Sequence, residues 1–132
     1  MNYQGFLLDT NVISELMRPV PEVRVADWLK QQRPADLFLA SVTLGELVRG
    51  VVRLAESPRR RRLESWVTEL LPRQFAGRIL AFDQETAVLW GELMGASDRV
   101  GRTRAAADAQ IAATALRHSL VLVTGTCPTS RA

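Results

Sequence analysis

The chain has 132 residues, 47% of them hydrophobic and 23% charged, with a formal net charge of +3. That balance suits one ordinary globular domain with a real core and excludes collagen-like, disordered and disulfide-stapled classes. The single cysteine, Cys127, cannot pair within the chain, no apolar run nears the ~20 residues of a membrane span, and residues 1–9 lack the makings of a signal peptide; a reducing cytoplasm is the expected location.

Apolar runs and helical periods alternate along the chain. Residues 6–8 predict a buried strand that stops at Asp9, followed by a helix over 10–17 that Arg18-Pro19 ends. Pro21 fits the first turn of a second helix, expected over 22–32. A second strand is expected over 37–40, then a helix over 43–55 with Leu44, Leu47, Val48, Val51 and Leu54 on one stripe. Ser57-Pro58 pairs an N-cap with a first-position proline and opens a helix running to about Leu71. A third strand is expected over 79–82, with Asp83 capping the next helix. A small-residue helix over 105–117 and a last strand over 120–123 follow. Strands with continuous apolar character, separated by helices, indicate an α/β fold: a short parallel sheet covered on both faces. In such sheets the functional crevice lies at the carboxyl ends of the strands.

Three acids fall at that crevice. Asp9 directly follows the first strand, Glu46 is expected in the first turn of the helix after the second, and Asp108 in the first turn of the helix before the last. Converging carboxylates repel one another unless a hard divalent cation compensates, and an all-oxygen set without a Cys/His cluster selects Mg²⁺ or Mn²⁺ over zinc. Each acid also has a plainer reading. Asp9 fits a helix N-cap, Thr43-Leu44-Gly45-Glu46 fits a capping box, and Asp108 complements a helix dipole. Asp83 reads as ordinary capping. His118, the one histidine, ends a helix and complements its dipole. Trp28, Trp66 and Trp90 read as core or dimer packing. The run from Arg59 to Arg62 suits RNA phosphates or an acidic partner, and equally a solvated helix start. All 17 basic residues but Lys30 are Arg, which leans toward phosphate recognition and is also what biased codon usage gives. An aspartyl phosphatase would need a second Asp two residues after Asp9, where Asn11 stands.

Taken together, four segments resemble the PIN-domain ribonucleases, specifically the VapC-type toxins of type II toxin–antitoxin pairs and their FitB-like branch. They are Leu7-Leu8-Asp9-Thr10-Asn11-Val12-Ile13-Ser14-Glu15, Ser41-Val42-Thr43-Leu44-Gly45-Glu46-Leu47, Phe75-Ala76-Gly77-Arg78-Ile79-Leu80 and Ala107-Asp108-Ala109-Gln110-Ile111-Ala112-Ala113-Thr114-Ala115. The resemblance spans residues 6–124 and implies a single PIN domain with a three-layer fold over 1–132. It also implies a Mg²⁺-dependent endoribonuclease with Asp9, Glu46 and Asp108 as metal site, in which water attacks the phosphodiester to leave 5′-phosphate and 3′-hydroxyl ends. Thr10, Asn11 and Thr124 would position substrate or support the acids. A cognate antitoxin, a homodimer, and DNA contact only through the antitoxin are further implications. The alternative is a catalytically impaired binding module acting through that antitoxin complex.

Residues 125–132 depart from the family pattern, which continues past the last strand with Thr-Arg-Asn or Thr-Arg-Asp, an acid–Phe pair and a further short strand carrying a fourth acid. Here Thr124 is followed by Gly125-Thr126-Cys127-Pro128-Thr129-Ser130-Arg131-Ala132, and no acid follows Asp108. Reading each tail codon from the third base of its predecessor admits Arg-Asn-Val-Pro-Asp-Phe-Ala-Gly, which resumes the pattern. Loss of one base in codon 124 is therefore a hypothesis that the local nucleotide sequence decides: no restored frame downstream would sink it. An incomplete last strand region predicts weakened or absent cleavage, with metal binding kept at Asp9 and Asp108.

Overall fold

Strand β1 (Gly5–Leu8) lies at the centre of the molecule, and successive residues feed opposite faces of the sheet. Leu8 joins one core cluster and Leu7 the other, so a strand of four residues is buried on both sides. The computed structural model describes residues 3–102 and 104–124. The tail of residues 125–132, with Cys127 and the expectation of an incomplete last strand region, lies outside the described residues.

After β1 come α1 (Thr10–Leu16), α2 (Val23–Lys30), a 3-10 turn (Pro34–Asp36) and β2 (Leu37–Ala40). Then follow α3 (Ser41–Val52), α4 (Pro58–Ser65), a π turn (Trp66–Leu70), α5 (Leu71–Gln74) and β3 (Ile79–Leu80). Helices α6 (Gln84–Arg99) and α7 (Ala106–Arg117) lead to β4 (Leu120–Val123). The sheet runs β3-β2-β1-β4 with every described pairing parallel, Leu8 opposite Val123 and Ala40 opposite Leu80. One face carries α1, α2, α3 and the 58–75 segment over Leu8, Leu39 and Val123. The other carries α7, whose Ile111 and Ala115 pack on Leu7, Ala40 and Leu120. This is the expected parallel α/β sandwich in three layers.

Several element boundaries differ from the sequence reading: α2 ends at Lys30 and α3 at Val52, two and three residues early, and four further differences have a local cause. Helix α3 starts at Ser41, two residues early, because β2 runs directly into it with Ala40 at the N-cap and no side-chain cap bond. Thr43 is therefore inside the helix, Glu46 lies beyond its first turn, and the capping-box reading is excluded. Pro21 precedes the α2 N-cap rather than opening the helix; the cap is Glu22, whose carboxylate accepts from the Val25 N–H. The helix expected from 58 to 71 widens into the π turn and then continues to Gln74. Pro72 has no N–H to offer the Thr68 carbonyl and its ring crowds that position, and the Leu71 N–H accordingly reaches back five residues to the Trp66 carbonyl. Strand β3 keeps only Ile79 and Leu80, since it pairs on one side alone and the chain then turns toward the Asp83 cap of α6.

Candidate active site at the carboxyl edge of the sheet

Helices α1 and α3 start directly where β1 and β2 end, and α7, which runs back to feed β4, starts at the same end of the sheet. Helices α1, α3 and α7 thus aim their N-termini at one edge, where negative charge is favoured. Asp9 leaves β1 at that edge: its N–H donates to the Val123 carbonyl at 2.9 Å, and its Oδ1 accepts from the Thr10 N–H at 2.8 Å as the N-cap of α1. Glu46 arrives on α3, half-buried, and its Oε1 accepts from the Thr10 hydroxyl at 2.7 Å. Asp108 arrives in the first turn of α7, exposed. Thr10 therefore ties two of the acids together, one through its backbone and the other through its side chain.

Electrostatics connects all three. Burial raises the pKa of Asp9 above the ordinary carboxylate value, and the charges of Asp108 and Glu46 raise it further against the lowering effect of the Thr10 N–H. Among the described residues, Asp9 Oδ2 and Glu46 Oε2 have no hydrogen-bond partner, and Asp108 makes no hydrogen bond or ion pair. A hard cation fits this set by donor chemistry and by charge. The carboxylates do not form a ready-made cage: among the described residues, no three Asp, Glu, His or Cys side chains are grouped to hold a metal ion.

Of the three residues expected to support the acids or position substrate, Thr10 bonds both Asp9 and Glu46, Asn11 is exposed in the first turn of α1, and Thr124 follows β4 directly, beside the start of α1. Asp83 is held elsewhere. Its Oδ1 accepts from both the N–H and the hydroxyl of Thr86, and these bonds, with Arg117 and His118 nearby, keep its pKa low. His118 caps the C-terminus of α7, as expected. Trp28 meets Phe6 edge-on at 5.0 Å, Trp66 packs on the core and Trp90 meets Phe82 edge-on at 6.3 Å. The tryptophans are packing residues, not an open stacking platform.

The arginine run divides. Arg60 is tied to Glu56, Glu64 and the Leu54 carbonyl, whereas Arg59 lines a cavity of about 200 Å³ beside Glu46, together with Arg18, Leu47, Val51 and Leu63. One polar residue at the site escaped the sequence reading. Thr43 is fully buried on α3, with its hydroxyl 3.3 Å from that of Thr10. Its signal was present in its spacing of three from Glu46, which a capping box shares.

The PIN domain model matches residues 6–125. The toxin FitB of Neisseria gonorrhoeae is 41% identical over 118 residues, which cover 89% of this chain and 85% of FitB. The VapC ribonuclease Y4jK of Sinorhizobium fredii is 37% identical over 122 residues, covering 89% of this chain and 84% of that protein. Among solved structures, FitAcB from Neisseria gonorrhoeae superposes with a TM-score of 0.83 at 40% identity, covering 90% of this chain and 86% of that one. FitAB bound to an IR36 DNA fragment gives 0.82 at 39%, covering 90% and 83%. Sequence motifs, sheet order and superposition agree, and the chain belongs to the PIN domain family.

Proposed function

We propose that the chain is the toxin of a toxin–antitoxin pair and an endoribonuclease that hydrolyses RNA phosphodiesters with Mg²⁺ or Mn²⁺. The observation that carries this reading is that Thr10 ties Asp9 and Glu46 together, one through its N–H and the other through its hydroxyl, at the sheet edge where α7 starts with Asp108 in its first turn. Asp9, Glu46 and Asp108 would hold the cation. When bound, it supplies Lewis acidity, polarising the phosphoryl oxygen and offsetting the charge that builds on it. The chain's own residues do the positioning: the Thr10 N–H fixes Asp9 and the Thr10 hydroxyl fixes Glu46, leaving one oxygen of each carboxylate for the ligand. Asn11 and Thr124, at the same edge, orient substrate.

The ribonuclease name of the Sinorhizobium relative supports the reaction class. The FitAcB and FitAB complexes support a cognate antitoxin as partner and DNA contact through that antitoxin. A homodimer and a cytoplasmic location belong to the same reading. No helix among the described residues is long and apolar enough to cross a membrane.

RNA cleavage by the wild-type, Asp9→Asn and Asp108→Asn proteins in Mg²⁺ tests the proposal. Each substitution is expected to lower cleavage by about 10²–10³-fold, the scale for losing one preorganised electrostatic group. Equal residual activity in all three would overturn the nuclease and leave the binding module. A chain carrying the frame-restored end in place of residues 125–132 is expected to cleave faster than this one; matched rates would show that the tail costs nothing.

A further inference from the structure

The hydroxyl of Thr10 has two oxygen neighbours and one proton. Glu46 Oε1 lies 2.7 Å away and Thr43 Oγ1 3.3 Å away. A carboxylate oxygen only accepts, so the Thr10 proton is committed to Glu46, and the longer contact must run the other way, from Thr43 to Thr10. Thr43 is fully buried, so water does not take its place beside Thr10. Two other helical threonines behave differently: Thr68 and Thr114 donate to the carbonyls of Glu64 and Gln110, one turn back. Among the described residues, Thr43 makes no such bond, and its hydroxyl is left for Thr10.

We propose that Thr43 is a positioning residue of the acidic site: its buried hydroxyl donates to Thr10, fixes the direction of the Thr10 proton, and thereby holds Glu46 in place for the cation. The relay Thr43–Thr10–Glu46 links α3 to α1 and returns to α3 three residues later. It therefore sets the side-chain rotamer of Glu46 and not the fold of either helix. Partners beyond the direct ligands tune a metal site by ordering its donors, with typical losses of 10–100-fold in affinity or activity. Thr43, one hydrogen bond further out, belongs at or below the lower end of that range. This inference rests on the proposed metal site.

The test uses the full chain and Mn²⁺ as probe, with binding read by isothermal titration calorimetry and Mn²⁺ electron paramagnetic resonance, and metal-free Tm recorded alongside. Thr43→Val keeps the volume and removes the hydroxyl; it is expected to weaken Mn²⁺ binding about 5–10-fold. Thr43→Ser restores the hydroxyl without the methyl and is expected to bind within about twofold of wild type, even where its Tm is the lower of the two. On a Thr10→Val background, Thr43→Val is expected to add nothing, because the relay is already cut. Wild-type affinity in Thr43→Val, or a serine variant as weak as the valine one, overturns the relay. So does an undiminished effect on the Thr10→Val background. Absence of Mn²⁺ uptake by the wild-type chain would sink the metal reading itself and this inference with it, whereas uptake that Thr43→Val leaves unchanged overturns the relay alone.

Discussion

The Asp9 carboxylate caps α1 through the Thr10 N–H while lying partly buried beside the charges of Asp108 and Glu46. Its pKa is raised in the fold, so folding favours the protonated acid. The stability this gives is fully present below the unfolded value, about 3.9, and is lost as pH rises through the folded pKa. At neutral pH the ionised form weighs against the fold. Asp9→Asn removes the charge and keeps a side chain that caps a helix as well. Its metal-free Tm, measured in EDTA, is expected to exceed that of wild type at pH 7, the gap closing as pH falls toward about 4. A variant no more stable at pH 7 would remove the burden from Asp9. Asp9 and Asp108 were legible in the sequence because a strand end and a helix start fix where they emerge. Thr43 was not, because Ser/Thr-x-x-Glu serves a cap and a buried relay alike. Only the starting residue of α3 separates the two, and tertiary pairing of β2 decides it.

At the scale of elements, the caps at Ser57 and Asp83 and both central strands were legible, since each depends on side chains within a few residues. The π turn was not, because Pro72 acts on a carbonyl four residues earlier and the helix widens instead of ending. Nor was the role of Arg78, read only as part of a family segment. Its guanidinium donates to the carbonyls of Pro34, Leu37 and Gln74 and lies 5.0 Å from the centre of the Phe75 ring. It thereby fastens the 3-10 turn, β2 and the end of α5 at the edge of the sheet away from the acids. Close packing at that edge also involves Gly5, where a Cβ would lie 2.5 Å from the Asp36 carbonyl oxygen. Hydrogen bonds from a charged donor are worth about 1.5–3 kcal/mol when buried, and partial exposure reduces this. Arg78→Ala is expected to cost about 1–2 kcal/mol in denaturant unfolding while leaving the Mn²⁺ affinity of the folded protein within about twofold. A matching loss of Mn²⁺ affinity would mean that the two edges are coupled.

For the whole molecule, the two ends of the sheet are built to opposite purposes. At the amino end, carbonyls are gathered by an arginine; at the carboxyl end, the starts of α1, α3 and α7 bring Asp9 within the electrostatic reach of Glu46 and Asp108. A formal net charge of +3 spread over the chain does not relieve that local repulsion, because Asp9 feels two negative charges and no arginine among its resolved influences. A cation bound there would relieve it, so the proposed metal site would link metal binding to folding stability. A ligand that binds only the folded state stabilises it by about 2.7 kcal/mol at a hundredfold excess over its Kd. Mg²⁺ is therefore expected to raise Tm progressively over the titration, with EDTA reversing the rise. Protons compete for the same oxygens, and burial with neighbouring charge raises the affinity of Asp9 for a proton. The Mg²⁺-induced shift is thus expected to grow from mildly acidic pH to neutrality, and to be largely absent from Asp9→Asn at every pH. A shift of equal size in Asp9→Asn would place the stabilising cation away from these acids, and the sheet edge would lose its claim to be the metal site.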